Sequence, residues 1–300
     1  MGSDPPMKAL VIGASGQVGG HLMNALQRQN IPCTATHHGH PTQGSIALDI
    51  TNPSMVEQVI IAARPTHIFL PAAATNVDYC ESQPDQTYLI NVLGTQHVVK
   101  ASNQAHAKLI YFSSDYIFDG KHGPYTEEDT PNPICKYGSQ KVYAEHHITA
   151  FCNDYLILRT TIVYGWENQE KNFVIRLIKS LRANQKVRVP SDQIGTPTYA
   201  SNLAEACLHL AQTVSTSEIF NLTGPSVVSR YEFAREAARV FDLPPDLIEP
   251  VQTKDLNQTA SRPLNLGLIV KKASAALPFP LLGYQEGLRE MKKIQIESAQ

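Results

Sequence analysis

Tyr137 and Lys141, in the stretch "YGSQK", place a phenol and an ammonium four residues apart. Together they could hand a proton to a carbonyl oxygen. A free tyrosine titrates near ~10, too high for efficient proton exchange at neutral pH. A cation held beside it favours the phenolate and lowers that value. Residues four apart share one face of a helix, so the spacing predicts such a pairing. Ser114, closing the apolar run "KLIYFSS", would add a hydroxyl donor where negative charge develops on the oxygen. The pattern alone is weak: with 12 tyrosines, Tyr-x-x-x-Lys arises by chance about once in such a chain. Its meaning depends on the elements that position it.

The strongest of these elements lies near the start. "VIGASGQVGG" sets Gly13, Gly16 and Gly19 directly after a short apolar run and before an amphipathic stretch. Gly13 permits a tight turn, Gly16 lets backbone amides approach a pyrophosphate, and Gly19 allows close helix–strand packing. Ser15, Gln17 and Val18 fill the turn and the first helical positions, where unpaired N–H groups face an anion. This predicts a dinucleotide site. The second strand ends in "TATHHGH", with His37 and no carboxylate to accept from a ribose 2′-OH. NADPH is therefore expected, with NADH admitted. Asp49 and Ile50, in "ALDIT", are candidates for adenine contact, and Asp49 could equally cap the helix that starts near Pro53.

From residue 8 onward, short apolar runs (8–13, 31–36, 67–74, 108–114, 155–160) alternate with helical patterns (17–30, 53–65, 84–106, 136–150). Such alternation predicts parallel strands joined by crossover helices, in an α/β doubly wound, Rossmann-type sheet covered on both faces. Ligands then gather at the carboxyl ends of the strands. Residues 7–165 are expected to form the dinucleotide-binding domain, and 166–300 a smaller, mostly helical substrate-binding domain. The segment 218–224 is strand-like and could return to the main sheet. "MGSDPP" (1–6) reads as an added remnant, with Met7 starting the natural chain. The chain is 42% hydrophobic and 17% charged with a net charge of -2, and it has no like-charge block. That composition argues against nucleic-acid or membrane partners. Five cysteines without close pairing suit reduced thiols in a cytoplasmic protein. The histidines lack companion ligands at zinc spacing, so no metal is expected.

The glycine turn, "SSDYIFDG" (113–120), "YGSQK" (137–141), "RTTIVYG" (159–165) and "DQIGTPTYASNLA" (192–204) occur in the order found in one family. The chain resembles the extended short-chain dehydrogenases/reductases, and most of all the branch that reduces 4-keto nucleotide sugars for dTDP-rhamnose synthesis. The resemblance implies an NAD(P)H-dependent oxidoreductase with a nucleotide-sugar substrate, and it allows a homodimer. It implies that Tyr137 protonates the sugar oxygen, Lys141 binds the nicotinamide ribose and Ser114 hydrogen-bonds the substrate carbonyl. Ala72, Ala73 and Ala74 would let the cofactor lie close to the backbone. Thr75, Asn76, Asp115, Tyr116, Gln193, Thr196 and Pro197 are expected on the sugar side. One departure concerns "RTTIVYG", where Ile162 stands at a position the family commonly gives to tryptophan; the single tryptophan, Trp166, lies four residues on. Two alternatives stay open: an epimerase that retains NAD, and a non-catalytic NADP-binding subunit resembling the regulatory subunit of methionine adenosyltransferase.

Overall fold

The computed structural model describes residues 6–297. Apart from Pro6, the expected remnant lies outside them. Seven strands make one sheet: β1 (Ala9–Ile12), β2 (Cys33–His37), β3 (Ile46–Ala47), β4 (His67–Leu70), β5 (Lys108–Ser114), β6 (Tyr155–Thr160) and β7 (Glu218–Asn221). Their spatial order is β7-β6-β5-β4-β1-β2-β3, and every neighbouring pair is parallel. The order reverses between β1 and β4, which opens a crevice at the carboxyl ends of those strands. This is the doubly wound α/β sheet that the alternating runs predict.

Both faces of the sheet are covered, because the central strands are apolar on each side. Leu22, Ala25 and Leu26 of α1 (Gln17–Arg28) pack on one face with Val11, Phe69, Ile110 and Leu158. The other face holds Val56 and Ile60 of α2 (Pro53–Ala63) and Ala144 and Ile148 of a long helix, Lys136–Phe151. Between them runs a helical stretch formed by α3 (Val77–Ser82), α4 (Pro84–Tyr88), a π-helical segment (Leu89–Gly94) and α5 (Thr95–Ala105). The long helix is α6. The run 67–74 is strand only to Leu70, since Pro71 has no N–H for a ladder. The three alanines therefore lie just beyond the carboxyl end of β4.

Past residue 165 the chain divides its work. One part returns to the sheet: α8 (Ala200–Thr213) joins α1 on the first face, and β7 pairs with β6. The rest builds a separate cluster from α7 (Phe173–Arg182), α9 (Arg230–Val240) and α11 (Tyr284–Glu297), with α10 (Lys271–Ala276) beside β7. Trp166 belongs to this second cluster. Its Nε1 donates to Met291 O at 2.7 Å, and its ring meets Phe241 edge-on. Ile162 packs against the same cluster. Ile162 itself is a β-branched residue at φ 42°, a strained conformation for its type.

Candidate active site

Gly13 sits at φ +97°, and a Cβ there would meet Ala72 at 3.0 Å, so the turn and the alanine loop are in close contact. A Cβ on Gly19 would come within 2.2 Å of Gly13 O, which only glycine avoids. Gly16 differs. Its φ is -81°, and the nearest atom to an added Cβ is Gly13 O at 3.5 Å, so nothing inside the protein requires glycine there. The open side is the concavity in front of α1, whose cap residue offers no side-chain hydrogen bond to the first amides. A cradle that a Cβ would fill, lined by unpaired N–H groups, fits the diphosphate of a dinucleotide.

Around it, Ser15 O accepts from Gln169 Nε2 at 2.8 Å. The Gln17 amide, in the orientation that satisfies both ends, donates to Val163 O and accepts from Gly165 N. Val18 packs partly into the core. His37 closes β2 and shares a hydrogen with Ser45 Oγ at 2.7 Å. Asp49 braces its own turn by accepting from Thr51 N and Oγ1, while Asn52 caps α2. The side chain of Ile50 is buried, pressed against Gly94.

On the other side of the crevice, α6 delivers Tyr137 and Lys141. Pro131 and Pro133 keep the approach extended, and Cys135 stands at the N-cap in an extended conformation without a side-chain hydrogen bond to the first amides. Gly138 permits the first turn of α6 to press on the turn at 115–117: a Cβ would lie 2.1 Å from Tyr116 O. That contact holds the Tyr137 phenol within hydrogen-bonding reach of Ser114, with the Tyr116 ring edge-on at 5.9 Å. Lys141 Nζ donates to Phe112 O at 2.8 Å and Tyr111 Oη at 3.2 Å, and lies 5.9 Å from the centre of the Tyr137 ring. Ser114, Tyr137 and Lys141 are thus gathered at the carboxyl end of β5.

The electrostatics differ from the expectation that the ammonium lowers the phenol. Burial pushes the Tyr137 phenol well up, and the Ser114 hydrogen bond offsets only part of it. Burial also drives Lys141 down to about 8, with Glu145 opposing. Spacing brought the two onto one helix face, but both are so enclosed that desolvation outweighs their mutual effect.

Asp115 is fully enclosed, and burial raises its carboxyl to about 7 against hydrogen bonds from Thr161 and Ser114. Thr75 and Asn76 are exposed at the start of α3, where Asn76 Oδ1 caps Tyr79 N. Gln193 Nε2 donates to Thr253 Oγ1, while Thr196 and Pro197 are buried, and Thr196 Oγ1 has no partner among the described residues.

Several participants carried no signal in the sequence. Asn91, on the π-helical segment, accepts from Ala74 N (2.8 Å) and donates to Ala74 O and to Gln140 Oε1; Gln140 in turn donates to Thr87. This clamp fixes the alanine loop to α6. Irregular helical turns of this kind recur where a side chain must be aimed. Arg230 and Arg262 also converge on the site. The Arg230 guanidinium lies 4.5 Å over Phe173 and faces Tyr116, Asp115 and Arg262; it has no ion pair among the described residues. Arg262 is held by Asp78 at 2.9 Å.

The chain matches the RmlD substrate binding domain family over residues 7–296. It belongs to that family. It is 30% identical to the dTDP-4-dehydrorhamnose reductase of Aggregatibacter actinomycetemcomitans, over 95% of this chain and 98% of the relative. A solved structure of the Bacillus anthracis dTDP-4-dehydrorhamnose reductase in complex with NADP superimposes with a TM-score of 0.88 at 29% identity, covering 97% of this chain and all of that one. Methionine adenosyltransferase 2 subunit beta of Xenopus tropicalis is similar too, at 27% identity over 95% of this chain and 87% of its own.

Proposed function

We propose that this member of the RmlD family is an NADPH-dependent reductase of a 4-keto nucleotide sugar, acting as the dTDP-4-dehydrorhamnose reductases it resembles. The observation that carries the reading is the gathering of Ser114, Tyr137 and Lys141 beside the glycine cradle. The cradle, with Gly13, Gly16 and the first amides of α1, would hold the cofactor diphosphate, and His37 the adenosine end. When bound, the nicotinamide supplies the hydride. Tyr137 supplies the proton. Its raised value keeps it a phenol at neutral pH, as an acid must be. An alkoxide oxygen is a strong base, so it draws the proton from the Tyr137 phenol beside it. Ser114 adds a second donor to the same oxygen. Arg230, a half-buried guanidinium without an ion pair among the described residues, and Arg262 would take the diphosphate of the sugar nucleotide.

Purified protein offered a panel of 4-keto nucleotide sugars should oxidise NADPH, and NADH more slowly. Tyr137→Phe should lower kcat by roughly 10²- to 10⁴-fold while leaving cofactor affinity within a few-fold. Silence of the wild type across the panel would reject the reading. It would favour the binding role suggested by the methionine adenosyltransferase subunit, for which a stoichiometric partner should then be recovered. The five unpaired thiols support a reducing, cytoplasmic setting. The exposed Tyr88–Tyr143 pair, with Leu89 and Phe151 on the same helical layer, supports a homodimer; sedimentation at the 33.0 kDa of one chain would count against it.

A further inference from the structure

Among the described residues, Lys108 is paired with Asp154 and Glu145 with Arg159, which leaves Lys141 and Asp115 as buried charges without an ion pair. The phenol and the ribose give Lys141 a task. Asp115 so far has only the expectation that it lies on the sugar side. It is 1% exposed and follows Ser114 directly, at the point where β5 turns into the short 3-10 turn Asp115–Ile117. Ser114 Oγ accepts from Tyr116 N at 3.2 Å and is 3.3 Å from Asp115 Oδ1. The Tyr137 phenol is in reach of the same oxygen. Facing Asp115 from the surrounding elements are Thr161 after β6, Tyr137 on α6, Arg230 at the start of α9 and the Tyr116 ring on its own turn.

A hydroxyl has one hydrogen and two lone pairs. The Tyr116 amide fills one lone pair of Ser114. If Asp115 is ionised it can only accept, and it takes the Ser114 hydrogen. If Asp115 carries a proton it donates to the second lone pair of Ser114, and the Ser114 hydrogen is released toward the space beside Tyr137. We propose that Asp115 is a positioning acid that sets the direction of the Ser114 hydroxyl, so that the site offers two donors to the ketone oxygen only while Asp115 is protonated. No bond to carbon changes in this step; one proton moves between Asp115 and solvent, and one O–H turns. Burial, which holds the carboxyl near 7, makes both states accessible around neutrality.

The inference rests on the reductase reading, and its test separates the two. Initial rates with saturating NADPH and a 4-keto nucleotide sugar are measured from pH 5.5 to 9 for the wild type, Asp115→Asn, Ser114→Ala and the double variant. Removing one oxyanion donor costs about 10²-fold or more. The wild-type rate should therefore fall on the order of a hundredfold through a midpoint near 7. Asp115→Asn, slower by up to about tenfold at pH 6, should lose that step and keep only the later fall as Lys141 deprotonates near 8. Ser114→Ala should lose it as well, and Asp115→Asn should add nothing further in that background. A wild-type midpoint retained by either single variant overturns the inference. An infrared difference titration of wild type against Asp115→Asn tests the protonation state without turnover. A protonated-carboxyl band should persist until about pH 7; its loss already near ~4, the ordinary aspartate value, would refute the proposal even if no sugar is reduced.

Discussion

Gly16 and Gly19 stand three residues apart in one turn and are glycine for different reasons. A methyl added to Gly19 would be driven into Gly13 O at 2.2 Å, whereas one added to Gly16 would meet no internal atom closer than 3.5 Å. Gly19→Ala should therefore destabilise the fold by about 1–3 kcal/mol, the range for overpacking. Gly16→Ala should leave the urea midpoint nearly unchanged and weaken NADPH binding at least tenfold, read by fluorescence titration. Equal effects of the two on stability would mean that the cradle is not what sets Gly16 apart. Lys141 makes a second residue-scale prediction, and its sign follows from linkage. Its folded value of about 8 lies below the 10.5 of an unfolded lysine, so between those values the unfolded chain binds the extra proton and stability rises with pH. Relative to Lys141→Met, the wild type should gain up to about 3 kcal/mol between pH 8 and 10.5, measured by denaturant unfolding at each pH.

At the scale of elements, α6 carries Tyr137, Lys141 and Glu145 along one buried stripe and is bolted to β6 by Arg159. The bond is bidentate, at 2.8 and 3.2 Å, with both side chains 4% exposed. Breaking such a pair leaves one charge buried and alone, which costs about 3–5 kcal/mol, whereas replacing both partners with apolar groups is often neutral. Glu145→Gln should thus destabilise by about 3 kcal/mol, and Glu145→Leu with Arg159→Met should recover most of it; a double variant no better than the single would show that the pair contributes net stability. The stripe also marks where the sequence was informative and where it was not. Strand–helix alternation, the glycine turn and the Tyr137–Lys141 spacing are local, and a 3.6-residue period or a strand's apolar run carries them directly. Enclosure is not local. The depth of Tyr137 depends on Tyr116, Gly138 and the 260s coming together, so the sign of its shift could not be read from a spacing. Asn91, Arg230 and Arg262 were silent for the same reason, since each meets its partners only across the fold. The burial of Ile50 against Gly94 is likewise a meeting across the fold.

For the whole molecule, the boundary drawn at residue 165 divides something the structure joins. Beyond it, α8 brings Leu203, Cys207, Leu208 and Leu210 to the same cluster as Leu22, Leu26 and Phe112, and β7 pairs the outer edge of β6 from Leu156 to Arg159. The halves also interlock at the cradle: His21 reaches Trp166 O and Ser201 Oγ, and Gln169 reaches Ser15 O. A further ion pair between them joins Asp78 and Arg262. A fragment of residues 7–165 would leave one face of the sheet covered by α1 alone and β6 as an unpaired edge, both of which favour association over folding. We therefore expect that fragment to bind hydrophobic dye, to unfold without a cooperative transition and to show no protection by NADPH. The full chain should unfold in one transition that NADPH moves to higher temperature, because a ligand of the native state stabilises everything coupled to its site. A compact fragment that unfolds cooperatively and is stabilised by NADPH would show instead that the first half is an autonomous domain, and that the return of α8 and β7 adds cover without being required for the cradle to form.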